Sequence, residues 1–178
     1  MNVLTIIVLV IVAIIALILI IALFARKNYS VKREIIIDKP ISEVFNYIRF
    51  LKNQDYYSKW VMTDPAMKKI FTGTDGQPGF IYAWDGNKKA GKGEQEIKKI
   101  TDNEYIDIEV RFEKPFVAIA NTPFKTESVS GTQTRVIWGT SSQMKYPMNI
   151  MLAVMNIERM LGNDLETSLR NLKNILEK

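Results

Sequence analysis

Tyr105-Ile106-Asp107-Ile108-Glu109-Val110-Arg111-Phe112 decides the fold class. Ile106, Ile108, Val110 and Phe112 alternate with Asp107, Glu109 and Arg111. A period of two puts the apolar set on one face and the charged set on the other, as in a half-buried antiparallel strand. Upstream, Phe80, Tyr82 and Trp84 alternate in the same way, Asp85-Gly86-Asn87 supplies turn chemistry, and Gly91 to Ile100 reads as a strand with Gly93, Gln95 and Ile97 on one side. Downstream, Glu113-Lys114-Pro115 breaks the pattern. Phe116 to Ser128 reads as one long strand, and Ser130-Gly131 turns into Thr132 to Ser142, with Val136 and Trp138 on one face.

Further out, Ser30 to Ile37 reads as a first strand. Asp38-Lys39-Pro40 opens a helix over 40–51, with Val44, Phe45, Ile48 and Leu51 at helical spacing. A second short helix follows at 53–60, and the glycines between Thr72 and Gly79 make a turn. Pro147 opens a C-terminal helix to Leu176. Its apolar stripe runs through Met148, Met151, Met155, Leu165, Leu169, Leu172 and Leu176, and the same spacing passes through Glu158 and Gly162. A sheet with one apolar face must be covered, and this helix is the available lid. The expected class is therefore α+β: a curved antiparallel sheet wrapped around a long C-terminal helix.

Val3 to Phe24 is uniformly apolar apart from Thr5, and every charged side chain lies beyond it. At about 1.5 Å per residue such a helix is roughly 33 Å long, against a bilayer core of about 30 Å. A cleaved signal peptide fits less well, because no basic region precedes the run and no small-x-small cleavage site follows it. Arg26, Lys27, Lys32 and Arg33 follow the helix, so the positive-inside rule places the rest of the chain in the cytoplasm. The expected organisation is an anchor at 1–25, a basic tether at 26–30 and one domain at 31–178, held as a single-pass membrane protein.

The 178 residues include no Cys and no His. That excludes a Ser-His-Asp triad, a cysteine nucleophile, a thiolate or imidazole zinc site and a disulfide. No metal and no cofactor is expected. Gly73, Gly76 and Gly79 lack phosphate-loop spacing and setting. The 24 Lys and Arg outnumber the 19 Asp and Glu, for a net charge of +5. The lysine pairs at 68–69, 88–89 and 98–99 are interleaved with acids, which suits solvated faces or a weak contact with anionic lipid better than nucleic-acid binding.

Several strings in this order resemble the START-like (Bet v 1-type, SRPBCC) superfamily, in particular its polyketide cyclase/dehydrase-like family. They are Ile37-Asp38-Lys39-Pro40 with Val44-Phe45; Trp60 with Asp64-Pro65; Gly79 to Asn87; Gly91-Lys92-Gly93; Phe112 to Phe116; Thr134 to Trp138; and Gly162 to Glu166. The resemblance covers about residues 30–178, and the N-terminal helix is an addition to the pattern. It implies a helix-grip fold with a cavity between sheet and C-terminal helix, a hydrophobic or amphipathic ligand such as a lipid, quinone or polyketide-like compound, and a bacterial inner-membrane setting. It carries over no catalytic set.

Strand parity and the helix stripe nominate the inward residues: Trp60, Tyr82, Trp84, Gln95, Phe112, Phe124, Trp138, Met148, Met151 and Met155. Aromatic walls with flexible thioethers suit a cavity for apolar ligands, and suit a packed core equally well. Glu158 is the candidate catalytic group. If the stripe holds its register it faces the sheet, and there it would need a partner or a raised pKa; if the helix turns near Gly162 it reaches solvent beside Arg159. Three functions stay open: a membrane-anchored binder of a hydrophobic small molecule, a cyclase/dehydrase-type enzyme using Glu158, Tyr82 or Gln95, and an adaptor for a protein partner. One isolated carboxylate and no histidine leave little for acid/base chemistry.

Overall fold

The computed structural model describes residues 2–178. Helix α1 (Val3–Phe24) starts at Asn2, whose side chain accepts a hydrogen bond from the Thr5 amide at 2.9 Å. This is an N-cap: it satisfies one amide donor that the first helical turn leaves free. Of the whole helix only Ala22 is buried, so a continuous apolar surface is left uncovered.

Three residues later the chain enters the sheet. The strands are β1 (Asn28–Ile37), β2 (Lys68–Thr72), β3 (Ile81–Asp85), β4 (Lys92–Thr101), β5 (Tyr105–Lys114), β6 (Ala118–Asn121), β7 (Phe124–Ser130) and β8 (Gln133–Gln143). All pairings are antiparallel, in the order β1-β8-β6-β5-β4-β3-β2, with β7 pairing β5 and β8. The tether is shorter than the expected 26–30, because β8 runs on to Gln143 and pairs it with Asn28.

The expected strand from Phe116 to Ser128 is two strands sharing one position in the sheet. Pro123 has no N–H to give the ladder. The chain crosses there with Thr122 donating to the Ile108 carbonyl and Gly139 donating to the Pro123 carbonyl. Strand β2 was not expected. It is short, pairs only β3 and leaves Ile70 and Phe71 largely exposed, so it carries no clean alternation.

The register defines two ends of the sheet. Asn28, Gln143, Lys114, Lys92 and Asp85 mark the end nearest α1. The other end is filled. There Val44, Phe45 and Ile48 of helix α2 (Ile41–Ile48) pack with Ile97, Ile106, Phe124, Val136, Leu165, Leu169 and Leu172, all buried. The outer face carries the charges of β4 and β5: Arg111 pairs with Glu94 and Glu96, each at 2.7 Å, and with Glu109.

The C-terminal helix is not continuous from Pro147. A short 3-10 turn (Met148–Ile150) and helix α5 (Met151–Val154) end at Met155, and helix α6 (Ile157–Leu176) starts afresh. Asn156 caps it, accepting from the Arg159 amide at 3.0 Å. The break changes the phase of everything before it. Asn149, fully buried, donates from Nδ2 to the carbonyls of Ala22 (2.6 Å) and Ala25 (3.1 Å), so the Met148–Val154 segment packs on the foot of α1.

Candidate ligand cavity

Between the filled half of the sheet and the end nearest α1 lies a cavity of about 320 Å³, at the small end of ligand sites. Its floor comes from alternating positions of β3, β4, β5, β6 and β8: Tyr82 and Trp84, Gln95, Val110 and Phe112, Ala120, and Trp138 with Thr140. Its roof comes from α3 (Gln54–Tyr57), α4 (Lys59–Met62) and Leu161 of α6. The roof is fixed to α6 by two backbone contacts: the Lys59 amide donates to the Ser168 hydroxyl at 2.9 Å, and Asn171 Nδ2 donates to the Tyr57 carbonyl at 3.2 Å.

The wall is mostly aromatic. Trp60 and Trp138 meet edge to face at 5.5 Å, and Trp84 and Phe112 at 6.0 Å. All three tryptophans of the chain line the cavity. Trp84 fits because its cross-strand partner is Gly93, where any Cβ would sit 2.9 Å from the indole. Gln54 and Gln95, both buried, form the polar centre, with Gln95 Nε2 donating to Gln54 Oε1 at 3.1 Å. That bond leaves the Gln54 amide hydrogens and the Gln95 carbonyl available to a ligand. Tyr82 donates its hydroxyl to Asp55 Oδ1 at 2.7 Å, and Asp55 Oδ2 pairs with Lys69 at 2.7 Å. Burial first, and then the Asp55 carboxylate, push the Tyr82 phenol up from its ordinary value, so it stays protonated. Lys89 and Lys114 stand at the rim together with Pro115.

Six of the residues nominated from sequence meet here: Trp60, Tyr82, Trp84, Gln95, Phe112 and Trp138. The others do not. Phe124 belongs to the filled core, stacked on Trp138 at 4.4 Å, so it backs the wall without lining it. Met148, Met151 and Met155 are outside the cavity, because the break at Asn156 turns their segment toward α1; Met148 and Met155 are exposed. Glu158 faces the edge strand β1 and finds there the partner such a carboxylate needs, but it stays outside the cavity. It lies in the first turn of α6, exposed, and pairs with Arg33 at 2.7 Å. The space left by Gly162 is taken by the Arg33 guanidinium, whose Nη2 would be only 2.1 Å from a Cβ there.

Sequence reasoning missed Tyr29, Gln54, Ser58, Met67, Thr140 and Leu161, which also line the cavity. Tyr29 and Thr140 were legible from strand parity, since Tyr29 pairs with Ser142 two places from Thr140. Gln54 lies on a four-residue helix and Ser58 on the extended link to the next one, whose inward faces no periodicity reveals. No carboxylate lines the cavity, and among the described residues no group of three or more acidic side chains could hold a metal ion.

The fold has clear likenesses among solved structures. Ara h 8.0201 aligns with 12% identity and a TM-score of 0.55, over 84% of this chain and 95% of that one. A hypothetical protein of Helicobacter pylori gives 14% identity and 0.61 over 84% and 88%, and the Aha1 dimer of Colwellia psychrerythraea gives 14% and 0.57 over 84% and 96%. At such identities these likenesses establish the architecture: a Bet v 1-like helix-grip fold, with an added N-terminal helix long and apolar enough to span a membrane. No family model matches the chain, and no curated protein matches it in sequence.

Proposed function

We propose that this chain is a membrane-anchored binder of a hydrophobic small molecule, of the START-like, polyketide cyclase-like kind. The ligand, a single-chain lipid, quinone or polyketide-like compound, lies in the cavity between sheet and helix. One observation carries the reading: an apolar, aromatic cavity with a single buried amide pair at its centre. A filled core would have no use for the space, and a pair of amides gives an otherwise greasy ligand one carbonyl or hydroxyl to register against. The uncovered surface of α1 supports anchoring, and the cations that follow it support a cytoplasmic domain in a bacterial inner membrane. Binding is preferred to catalysis because burial, and then Asp55, keep Tyr82 protonated and no carboxylate lines the ligand space.

The tryptophans report occupancy directly. A bromine-bearing long-chain amphiphile added to the full chain in detergent quenches their fluorescence saturably, at one equivalent. Ala120→Phe, which fills the floor, removes the saturable phase. Quenching that rises without saturation, equally in both proteins, would sink the reading.

A further inference from the structure

Lys89, Ala90, Lys114 and Pro115 line the cavity at the sheet end nearest α1, and that end carries an apolar surface of its own. Only Ala25, Arg26 and Lys27 separate α1 from β1, a reach of about 10 Å at full extension. So the sheet end bearing Asn28 lies at the membrane surface wherever α1 spans the bilayer. The register brings the β5–β6 loop to the same level. Ala120 pairs with Ser142, so Ala118, two residues on, is level with Met144, whose amide bonds the Lys27 carbonyl. Phe116 and Val117 lie further out still, and they are 56% and 88% exposed. On the segment that Asn149 ties to the foot of α1, α5 leaves Val154 74% exposed beside Met155. Arg26, Lys27, Lys88, Lys89, Lys114 and Lys145 are exposed at the same end, where they outnumber the exposed acids Asp85 and Glu113.

We infer that Phe116-Val117 and Val154-Met155 form a second membrane contact that seats the cavity mouth on an anionic bilayer surface. The inference rests on the reading of α1 as a spanning helix. Aromatic and aliphatic side chains accompanied by cations are the composition of a surface that enters the headgroup region of anionic lipid. With both patches seated, Lys89, Lys114 and Pro115 at the mouth face lipid, and a ligand passes from the bilayer to the cavity without crossing water.

The chain lacks cysteine, so single-cysteine variants of the full chain take one label each. An environment-sensitive fluorophore is placed at Val117→Cys, Val154→Cys, Gly131→Cys on the far β7–β8 turn, and Ala13→Cys within α1. Each protein is reconstituted in vesicles of phosphatidylcholine and phosphatidylglycerol with or without nitroxide-bearing lipid. The expected result is blue-shifted emission at 117 and 154 that nitroxide lipid quenches, quenching at 13, and solvent-like, unquenched emission at 131. Quenching at 13 with 117 and 154 behaving like 131 overturns the second contact and leaves the anchor standing. Blue-shifted but unquenched emission at 117 and 154 overturns it in favour of a protein contact, a second copy included. No quenching at 13 removes the anchor and the inference with it.

Discussion

Truncating the amide pair in the cavity should cost more singly than doubly. Gln54 and Gln95 are buried, at 4% and 7% exposure, and are joined by one hydrogen bond of 3.1 Å. Gln95→Leu removes the donor and leaves Gln54 Oε1 facing an apolar wall. A buried polar atom stripped of its partner costs about 1–3 kcal/mol. At a urea m-value of about 2 kcal/mol/M, the unfolding midpoint should fall by roughly 0.5–1.5 M. Gln54→Leu should do the same by leaving the Gln95 amide unpaired. The double variant replaces both partners with apolar groups of similar volume, and such exchanges approach neutrality. The cycle should therefore give a coupling energy of about 2 kcal/mol or more, with the double variant more stable than either single one. The assay is urea unfolding of the full chain in detergent, followed by the fluorescence of the cavity tryptophans. Additive costs would refute the reasoning, since they would mean that each amide is satisfied independently of the other.

Other consequences follow from the same geometry. Tyr82 keeps its proton in the fold at pH values where an unfolded tyrosine, with a pKa near 10, has lost it. Its stabilisation is thus complete below about pH 10 and drains away as pH rises beyond it; Tyr82→Phe should flatten that alkaline loss in a thermal-unfolding series, and an unchanged slope would contradict the raised pKa. Asn156→Ala removes the cap of α6 and should destabilise by about 0.5–2 kcal/mol, read from the same urea curves, with no change in ligand stoichiometry. The Arg111 guanidinium first, then Lys98, holds the Glu96 carboxyl below the ordinary carboxylate range. Its contribution is present above about pH 4.3 and is lost as pH falls through the depressed value. Glu96→Gln should shed less stability on acidification, by up to about 1 kcal/mol; an identical acid profile counts against it. Glu158→Gln should leave ligand binding unchanged, since Glu158 meets only Arg33 outside the cavity; a loss of binding would return it to the site.

The parts of the fold that period and punctuation encode were legible. The alternation of Ile106, Ile108, Val110 and Phe112 identifies β5, and the same parity places Tyr82, Trp84, Gln95 and Trp138 on the floor. What failed was continuity. A helical stripe read from Pro147 to Leu176 assumes one phase throughout, and Asn156 resets it. An asparagine followed by a glutamate in the first turn is a cap signature, so the signal was present but outvoted by the methionine spacing. Pro123 had the same effect on the strand that became β6 and β7. Both errors have a structural consequence, because the methionines moved from the cavity to the foot of α1 and Glu158 moved to an exposed pair with Arg33 at the sheet edge. The roof residues Gln54 and Ser58 had no local signal at all, because two helices of four residues and the link between them show no periodicity and are oriented by contacts with α6.

The central claim is that the cavity holds an apolar molecule taken from the membrane. It is tested most directly by extracting full-length protein from its own membranes and measuring the bound material by native mass spectrometry with organic extraction, side by side with Ala120→Phe. A single apolar compound at one equivalent in the wild-type chain, absent from the variant, is the predicted result. An empty wild-type chain, or the same compound in equal amount on both, would contradict it.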